Sequence, residues 1–273
     1  ARVITVTSGK GGVGKSNTAI NLAIQFRKMG KKVVILDADF GLANIEIMFG
    51  AVPKHNLSDL IYQGKNIKDI ITWGPMEVGF ISGGSGITGL SNLSKDYLTY
   101  IVHNLAELDT IADVIIVDTG AGISDAVLEF LVASGEILLV TTPEPTSITD
   151  SYSLLKALNG HPGLERDNTQ ICMIANRVST ANEGEVLFQK LDVVVSRYLK
   201  LPITYLGAVP QDPLLAKAVM QQLPVSLQNP QARSAQAYEE IAAKLMKQDE
   251  GQNTQKRGVA AFFSHIIGKR NNG

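Results

Sequence analysis

The run Gly9-Lys10-Gly11-Gly12-Val13-Gly14-Lys15-Ser16 constrains this chain more than any other feature. It fits the phosphate-loop pattern G-x-x-x-x-G-K-[ST] and carries a second lysine, Lys10, inside the loop. Val3-Ile4-Thr5-Val6 before it reads as a buried strand, and Asn17 to Met29 after it as a helix. Polyphosphate is anionic and must be met by donors at close range. Glycines let the backbone of Gly11, Gly12, Val13 and Gly14 curl so that successive N–H groups point inward as an anion nest. The helix that takes up Asn17 adds the partial positive charge of its N-terminus. Lys15 is expected on the β- and γ-phosphates of a nucleoside triphosphate. The Ser16 hydroxyl is expected as an oxygen ligand of Mg²⁺.

The rest of the chain supplies the frame such a loop needs. Apolar runs recur at Val33–Leu36, Val78–Ile81, Val114–Val117, Ile137–Val140, Ile171–Ala175 and Ile203–Leu206. They are continuous rather than alternating, which marks parallel strands covered on both faces. Helical patterns separate them, for example Tyr97 to Leu108 and Ala237 to Met246. The expected fold is α/β: a doubly wound, mainly parallel sheet of P-loop type, with ligands at the carboxyl ends of the strands. At 273 residues and 45% hydrophobic, the chain can bury one large core without staples. We read residues 1–247 as one domain, 248–257 as a polar linker and 258–270 as a separate amphipathic helix. No internal repeat or second domain is visible.

One cysteine, Cys172, excludes a disulfide framework or a cysteine-built metal cluster within one chain, and its apolar neighbours place it in a buried strand. No stretch approaches the roughly 20 apolar residues of a membrane span. No secretory signal is visible, so a cytoplasmic protein is expected. Net charge is −1, but residues 251–273 hold Lys256, Arg257, Lys269 and Arg270 and no acidic residue. The body is left with 21 basic and 26 acidic residues. An acidic body argues against direct nucleic-acid binding, and a basic tail suggests a partner of its own.

Acidic residues end two of the apolar runs. Val33–Leu36 leads into Asp37-Ala38-Asp39, and Val114–Val117 into Asp118-Thr119-Gly120-Ala121-Gly122. An acidic residue after a short apolar strand is the Walker B arrangement, so Asp118 is expected on the magnesium side. Gly120 and Gly122 suit a loop that senses the γ-phosphate. Hydrolysis needs an acceptor that places water in line with that phosphate. Asp39 is the candidate, although spacing alone places Asp37 equally well; Asp37 also counts among the metal-side candidates with Ser16 and Asp118.

The two-lysine loop KGGVGKS, the segment DADFGLANIEIMFG (37–50) and DTGAGIS (118–124) resemble the MinD/ParA family of deviant Walker A ATPases. The phrase TTPEPTSITDSY (141–152) and Gly120 resemble its flagellar-number branch (FlhG, also called FleN or YlxH) more than the division regulator MinD. The likeness spans roughly residues 2–247. It implies a slow, Mg²⁺-dependent ATPase that cycles between ATP and ADP and dimerises with ATP. Lys10 matches the signature lysine that reaches the partner's nucleotide, Asp39 the residue that orients water, and Asp37 a more structural companion. Asn176 matches an adenine-contacting asparagine, with Arg177 flanking the base. Pro210-Gln211-Asp212 matches the loop on the other side of the base. Read from the residues alone, turn formation and helix capping are the favoured roles of Asn176 and Asp212. Ser147 and Asp150 have capping-box-like spacing and are given a structural role.

Val259, Phe262, Phe263, Ile266 and Ile267 recur at i, i+3, i+4, i+7 and i+8, one apolar helical stripe between Gly258 and Gly268. A last helix packed on the domain would show the same pattern. The linker and the lack of acidic residues favour a helix lying on an anionic membrane surface, and MinD-type proteins carry a similar tail. Burying five such side chains contributes roughly 7–15 kcal/mol before ordering costs. One tail should bind weakly, and two on an ATP dimer about 10²–10⁴-fold better. The resemblance implies a protein at the inner membrane face when ATP-bound. Its implied partners are an FlhF-type GTPase, flagellar switch-complex proteins or a flagellar transcription activator. Members of this branch can carry an N-terminal activating segment, which would lie before Ala1. The competing classes are a MinD-like division-site regulator, a ParA-type partition ATPase, which the acidic body disfavours, and a nucleotide-binding module without turnover.

Overall fold

The computed structural model describes residues 1–39, 44–83, 103–251 and 258–268. The strands are β1 (Arg2–Thr7), β2 (Val33–Ala38), β3 (Thr72–Trp73), β4 (Gly79–Ile81), β5 (Val114–Thr119), β6 (Glu136–Thr141), β7 (Gln170–Val178) and β8 (Thr204–Pro210). They form one sheet in the order β3-β4-β2-β5-β1-β6-β7-β8. Every pairing is parallel except that of β3 with β4 at the edge. The helices are α1 (Lys15–Lys28), α2 (Ile45–Phe49), α3 (Leu57–Gln63), α4 (Ile67–Ile70), α5 (Leu108–Ile111), α6 (Asp125–Ala133), α7 (Pro145–Gly160), α8 (Ala181–Tyr198), α9 (Pro213–Met220), α10 (Val225–Gln228), α11 (Arg233–Gly251) and α12 (Val259–Gly268). The doubly wound fold read from the sequence is the observed one.

Alternate residues of each central strand feed opposite cores. Ile4 and Val6 of β1, Val33 and Ile35 of β2 and Val114 and Ile116 of β5 pack with α1 and α11 on one face. Val34, Leu36, Ile115 and Val117 turn to the other face, against α3, α4, α6 and α12. Further along that face, α6, α7 and α8 cover β6 and β7. Both faces are apolar because both are covered, which is why the strands read as unbroken apolar runs. Cys172 is buried in β7.

The strands run further than their apolar runs. β2 extends through Asp37, β5 through Asp118 and Thr119, β7 through Asn176 and Arg177, and β8 to Pro210. Backbone pairing continues where the side chains turn polar, so Asp37, Asp118, Asn176, Arg177 and Pro210 sit on the rigid carboxyl ends of strands. The two-residue β3 is too short to show in a pattern. Of the helix expected over Tyr97 to Leu108, residues 97–102 lie outside the described residues, as do 252–257 of the linker and 269–273 of the tail.

The apolar stripe of the tail is covered in this structure. Val259, Phe262 and Phe263 are buried in the same core as Phe130, Leu105 and Leu108, and Ile266 packs at its edge. The Phe262 ring lies 6.1 Å from that of Phe130 on α6. The side chain of Ile267 lies outside the described residues. Among the described residues no helix is long and apolar enough to cross a membrane.

Candidate nucleotide site

The loop between β1 and α1 lies at the carboxyl edge of the sheet, where the crossovers from central β1 diverge. Gly14 is the N-cap residue of α1 at φ 98°, a left-handed conformation that an L side chain disfavours. Its carbonyl accepts the Thr18 hydroxyl at 3.0 Å, and no acidic residue stands in the first turn of α1. The helix therefore offers its open N–H groups to an anion without a competing carboxylate. Lys15 is buried at the start of that turn. Gly9 has no room for a side chain: a Cβ there would fall 2.2 Å from the Asp150 carbonyl carbon on α7. The loop thus rests directly on the backbone of α7.

Asp118 ends β5 beside Val6 of β1 and Asp37 of β2. It is fully buried, and among the described residues neither of its carboxylate oxygens has a hydrogen-bond partner of ordinary geometry, although the Ser16 hydroxyl faces it closely enough to pull its carboxyl down. Burial pushes its carboxyl up to about 7; the Lys15 charge pulls it down, and Asp37 and Asp39 push it up. A buried anion with no donor is costly, and a divalent cation at this point would remove that cost. Asp118 and the Ser16 hydroxyl are hard oxygen donors, so the residues present fit Mg²⁺.

Asp37 and Asp39, equivalent by spacing, differ in the structure. Asp37 is buried; its oxygens accept from the backbone N–H groups of Asp39 at 3.1 Å, Asn44 at 3.0 Å and Ile45 at 3.2 Å. Burial raises its carboxyl to about 6 against those bonds. Asp37 thus ties the end of β2 to the start of α2 through backbone amides. Asp39 is only partly buried, with its carboxylate beside Gly120 of the loop after β5. Among the described residues its carboxylate accepts one hydrogen bond, a long one of 3.5 Å from Asn44 Nδ2. The Gly122 N–H donates to Ser8 O at 3.0 Å, tying that loop to the phosphate loop.

A cavity of about 420 Å³ opens beside the loop. Gly14, Asn17, Asn176, Arg177, Pro210 and Asp212 all line it. Asn176 is buried, with Nδ2 donating to Val13 O at 2.7 Å and Oδ1 accepting the Arg177 N–H at 3.0 Å. Arg177 itself stands at φ 58°, a strained conformation for a long side chain. Asp212 caps α9 through the Leu214 N–H at 2.9 Å and holds Ser234 through its N–H at 3.0 Å and hydroxyl at 2.8 Å. Burial opposes its charge, but those bonds hold its carboxyl below the ordinary range. The carboxylate shapes the cavity wall while its own acceptors are engaged. Sequence reasoning missed the apolar wall of Leu215, Ala216, Val219 and Met220. Its signal was present: a capped helix start followed by apolar residues at i, i+1, i+4 and i+5.

Lys10 lies apart from this cavity. Its Nζ is 2.5 Å from Glu144 Oε2 and 2.9 Å from Thr146 Oγ1 on its own chain.

A ParA family model, described as an iron-transfer P-loop NTPase of NUBPL type, matches residues 1–246. The antiactivator FleN of Pseudomonas aeruginosa is 38% identical over 244 residues, covering 89% of this chain and 86% of that protein. The flagellum site-determining protein YlxH of Helicobacter pylori is 33% identical over 270 residues, covering 97% and 90%. Among solved structures, the septum site-determining protein MinD of Pyrococcus horikoshii, complexed with Mg-ADP, superposes with a TM-score of 0.72 at 24% identity, over 91% of this chain and 97% of that one. A phosphate loop on a doubly wound sheet, an orphaned carboxylate facing Ser16 and these matches along the chain have one conclusion: the chain belongs to the ParA/MinD family of P-loop NTPases, with FleN and YlxH among its relatives.

Proposed function

We propose that this chain is an ATP-hydrolysing switch that dimerises with ATP, attaches to the membrane through α12 and regulates flagellar number or placement. The observation that carries this reading is the position of α6. That helix begins at Asp125, with Ser124 as its N-cap, just after the Gly120–Gly122 loop, and its Phe130 ring packs near that of Phe262 of the tail. One element therefore meets both the loop expected to sense the γ-phosphate and the segment expected to bind lipid. The relatives' names, an antiactivator and a flagellum site-determining protein, support the flagellar assignment.

The residues divide the work. The phosphate-loop N–H groups and Lys15 hold the β- and γ-phosphates. Ser16 and Asp118 hold Mg²⁺, which neutralises charge on the phosphate oxygens when bound. Asp37 keeps the turn to α2 in place. Asp39, with a nearly free carboxylate, accepts a hydrogen bond from the attacking water and orients it. Lys10 of each protomer reaches the nucleotide of the other. The tail leaves its groove when the loop before α6 reorganises, and lipid then covers its apolar stripe.

Co-sedimentation with anionic vesicles, with ATP and with ADP, tests the switch. ATP should favour binding, and truncation after Glu250 should abolish it. Asp39→Ala should slow turnover by about tenfold or more while the ATP form stays on the vesicles. Equal binding with ATP and ADP would sink the reading. Unchanged turnover in Asp39→Ala would remove the assignment of that residue. Flagellar counts after gene deletion test the cellular role.

A further inference from the structure

Lys10 is placed where an ammonium group is not naturally at home. Glu144 and Thr146 belong to the start of α7, with Pro145 at its first position. A helix N-terminus carries partial positive charge and repels a cation. Lys10 is nevertheless held there, by the Glu144 carboxylate at 2.5 Å and the Thr146 hydroxyl at 2.9 Å. Glu144 stands at the N-cap position, yet its side chain makes no cap hydrogen bond. Its carboxylate is directed to Lys10 instead of to its own helix. The bond to Lys10 and its charge, and the charge of Arg177, hold the Glu144 carboxyl below its ordinary range. The close seat of Gly9 on Asp150 fixes the distance between the loop and α7, so Lys10 meets this acceptor by construction.

We propose that Glu144 is a latch on Lys10: it retains the lysine on its own chain until a second nucleotide-loaded copy offers phosphate, and so sets the threshold for dimerisation. The inference rests on the reading of Lys10 as the residue that crosses to a partner. In the resting chain the ammonium faces one carboxylate. In the dimer it faces a polyphosphate of higher charge, which outcompetes that carboxylate. Both partners of the pair are partly exposed, at 34% and 51% of their side-chain surface, so each latch is weak and reversible. Two latches open for each dimer, and their effects multiply. Glu144→Gln keeps the shape of the side chain and removes the charge. Lys10 is then left against the positive end of a helix with only the Thr146 hydroxyl and a neutral amide oxygen to hold it.

Two measurements test this. In nucleotide-free protein, acylation of Lys10 by an amine-reactive ester, read by peptide mass spectrometry, should run about threefold faster in Glu144→Gln than in the parent. In an Asp39→Ala background saturated with Mg-ATP, sedimentation velocity should give a dimer dissociation constant about four- to tenfold lower when Glu144→Gln is added. Thr146→Val should move both readouts the same way by less. Monomer affinity for ATP and the melting temperature of the apo protein report that the fold is intact. Weaker dimerisation by Glu144→Gln would overturn the latch and make Glu144 a contact across the interface. Unchanged dimerisation in a protein that does dimerise would also overturn it. If the Asp39→Ala parent forms no ATP dimer, the reading of Lys10 falls and the latch falls with it.

Discussion

Asp118→Asn will stabilise the nucleotide-free protein at pH 8 and lower its magnesium-dependent ATP affinity on the order of a hundredfold. Both effects follow from a buried carboxylate with no donor. Its carboxyl titrates at about 7 in the folded chain, against 3.8 for the free group. The folded state therefore holds a proton that the unfolded state has released across roughly pH 4–7. Stability from this group falls as pH rises through that window and stays low above it. Asp37, raised to about 6, acts in the same sense over a narrower range. Asparagine is neutral throughout, so the variant escapes the Asp118 share. At pH 5 part of the Asp118 share is already lost, and the gap between the two proteins should widen toward pH 8. At pH 8 the variant should be ahead by about 2 kcal/mol or more, the pull of Lys15 and the Ser16 hydroxyl on the carboxylate being already counted in its raised value. With Mg²⁺ and ATP the order reverses, because the cation turns the isolated charge into a ligand. Thermal melts from pH 5 to 8 without nucleotide, with magnesium titrations of ATP binding, check both halves. A variant that is less stable at pH 8 and binds Mg-ATP normally contradicts the placement of the cation.

Phe130→Ala will make vesicle binding independent of ATP. Phe130 is a buried α6 side chain whose ring stacks at a tilt on Phe262. Truncating a buried phenylalanine costs about 3–5 kcal/mol. Here part of that cost falls on docking, because α12 can leave while the sheet stays folded. A loss of about 3 kcal/mol shifts the docked-to-free ratio roughly a hundredfold. The stripe proposed to meet lipid is itself untouched. Phe262→Asp frees the tail as well but places a charge in the stripe, so it should fail to bind vesicles with either nucleotide. Hydrogen exchange separates the cases: amides of α12 should lose protection in both variants while those of β1 and β5 keep it. Vesicle binding by Phe130→Ala that still requires ATP would show that docking does not restrain the tail.

Much of this was legible in the chain, for local reasons. The phosphate loop, Asp118 and the seven apolar strand runs each lie in a few consecutive residues, whereas the order of the strands in the sheet depends on pairings between distant segments. What was not legible depends on groups distant in sequence. Asp37 and Asp39 separate only once the amides of Asn44 and Ile45 fold back onto Asp37. Asp212 carries two readings until Ser234 approaches it from α11. Lys10 stands in a recognisable motif, but nothing in that motif points to Glu144. The tail's stripe states that it needs an apolar partner and cannot name which; in this structure the partner is α6 and the core beneath it.

The crossing from α11 to α12 sets the timing of the tail's return. The two helices lie against opposite faces of the sheet. Seven peptide units join Gly251 to Gly258, a tether of at most about 25 Å. A tail on so short a leash meets its groove at an effective concentration in the millimolar range. Recapture is then a unimolecular event, with a half-time independent of how much protein the cell contains. Retrieval from the membrane would keep the same pace in a cell with few copies as in one with many.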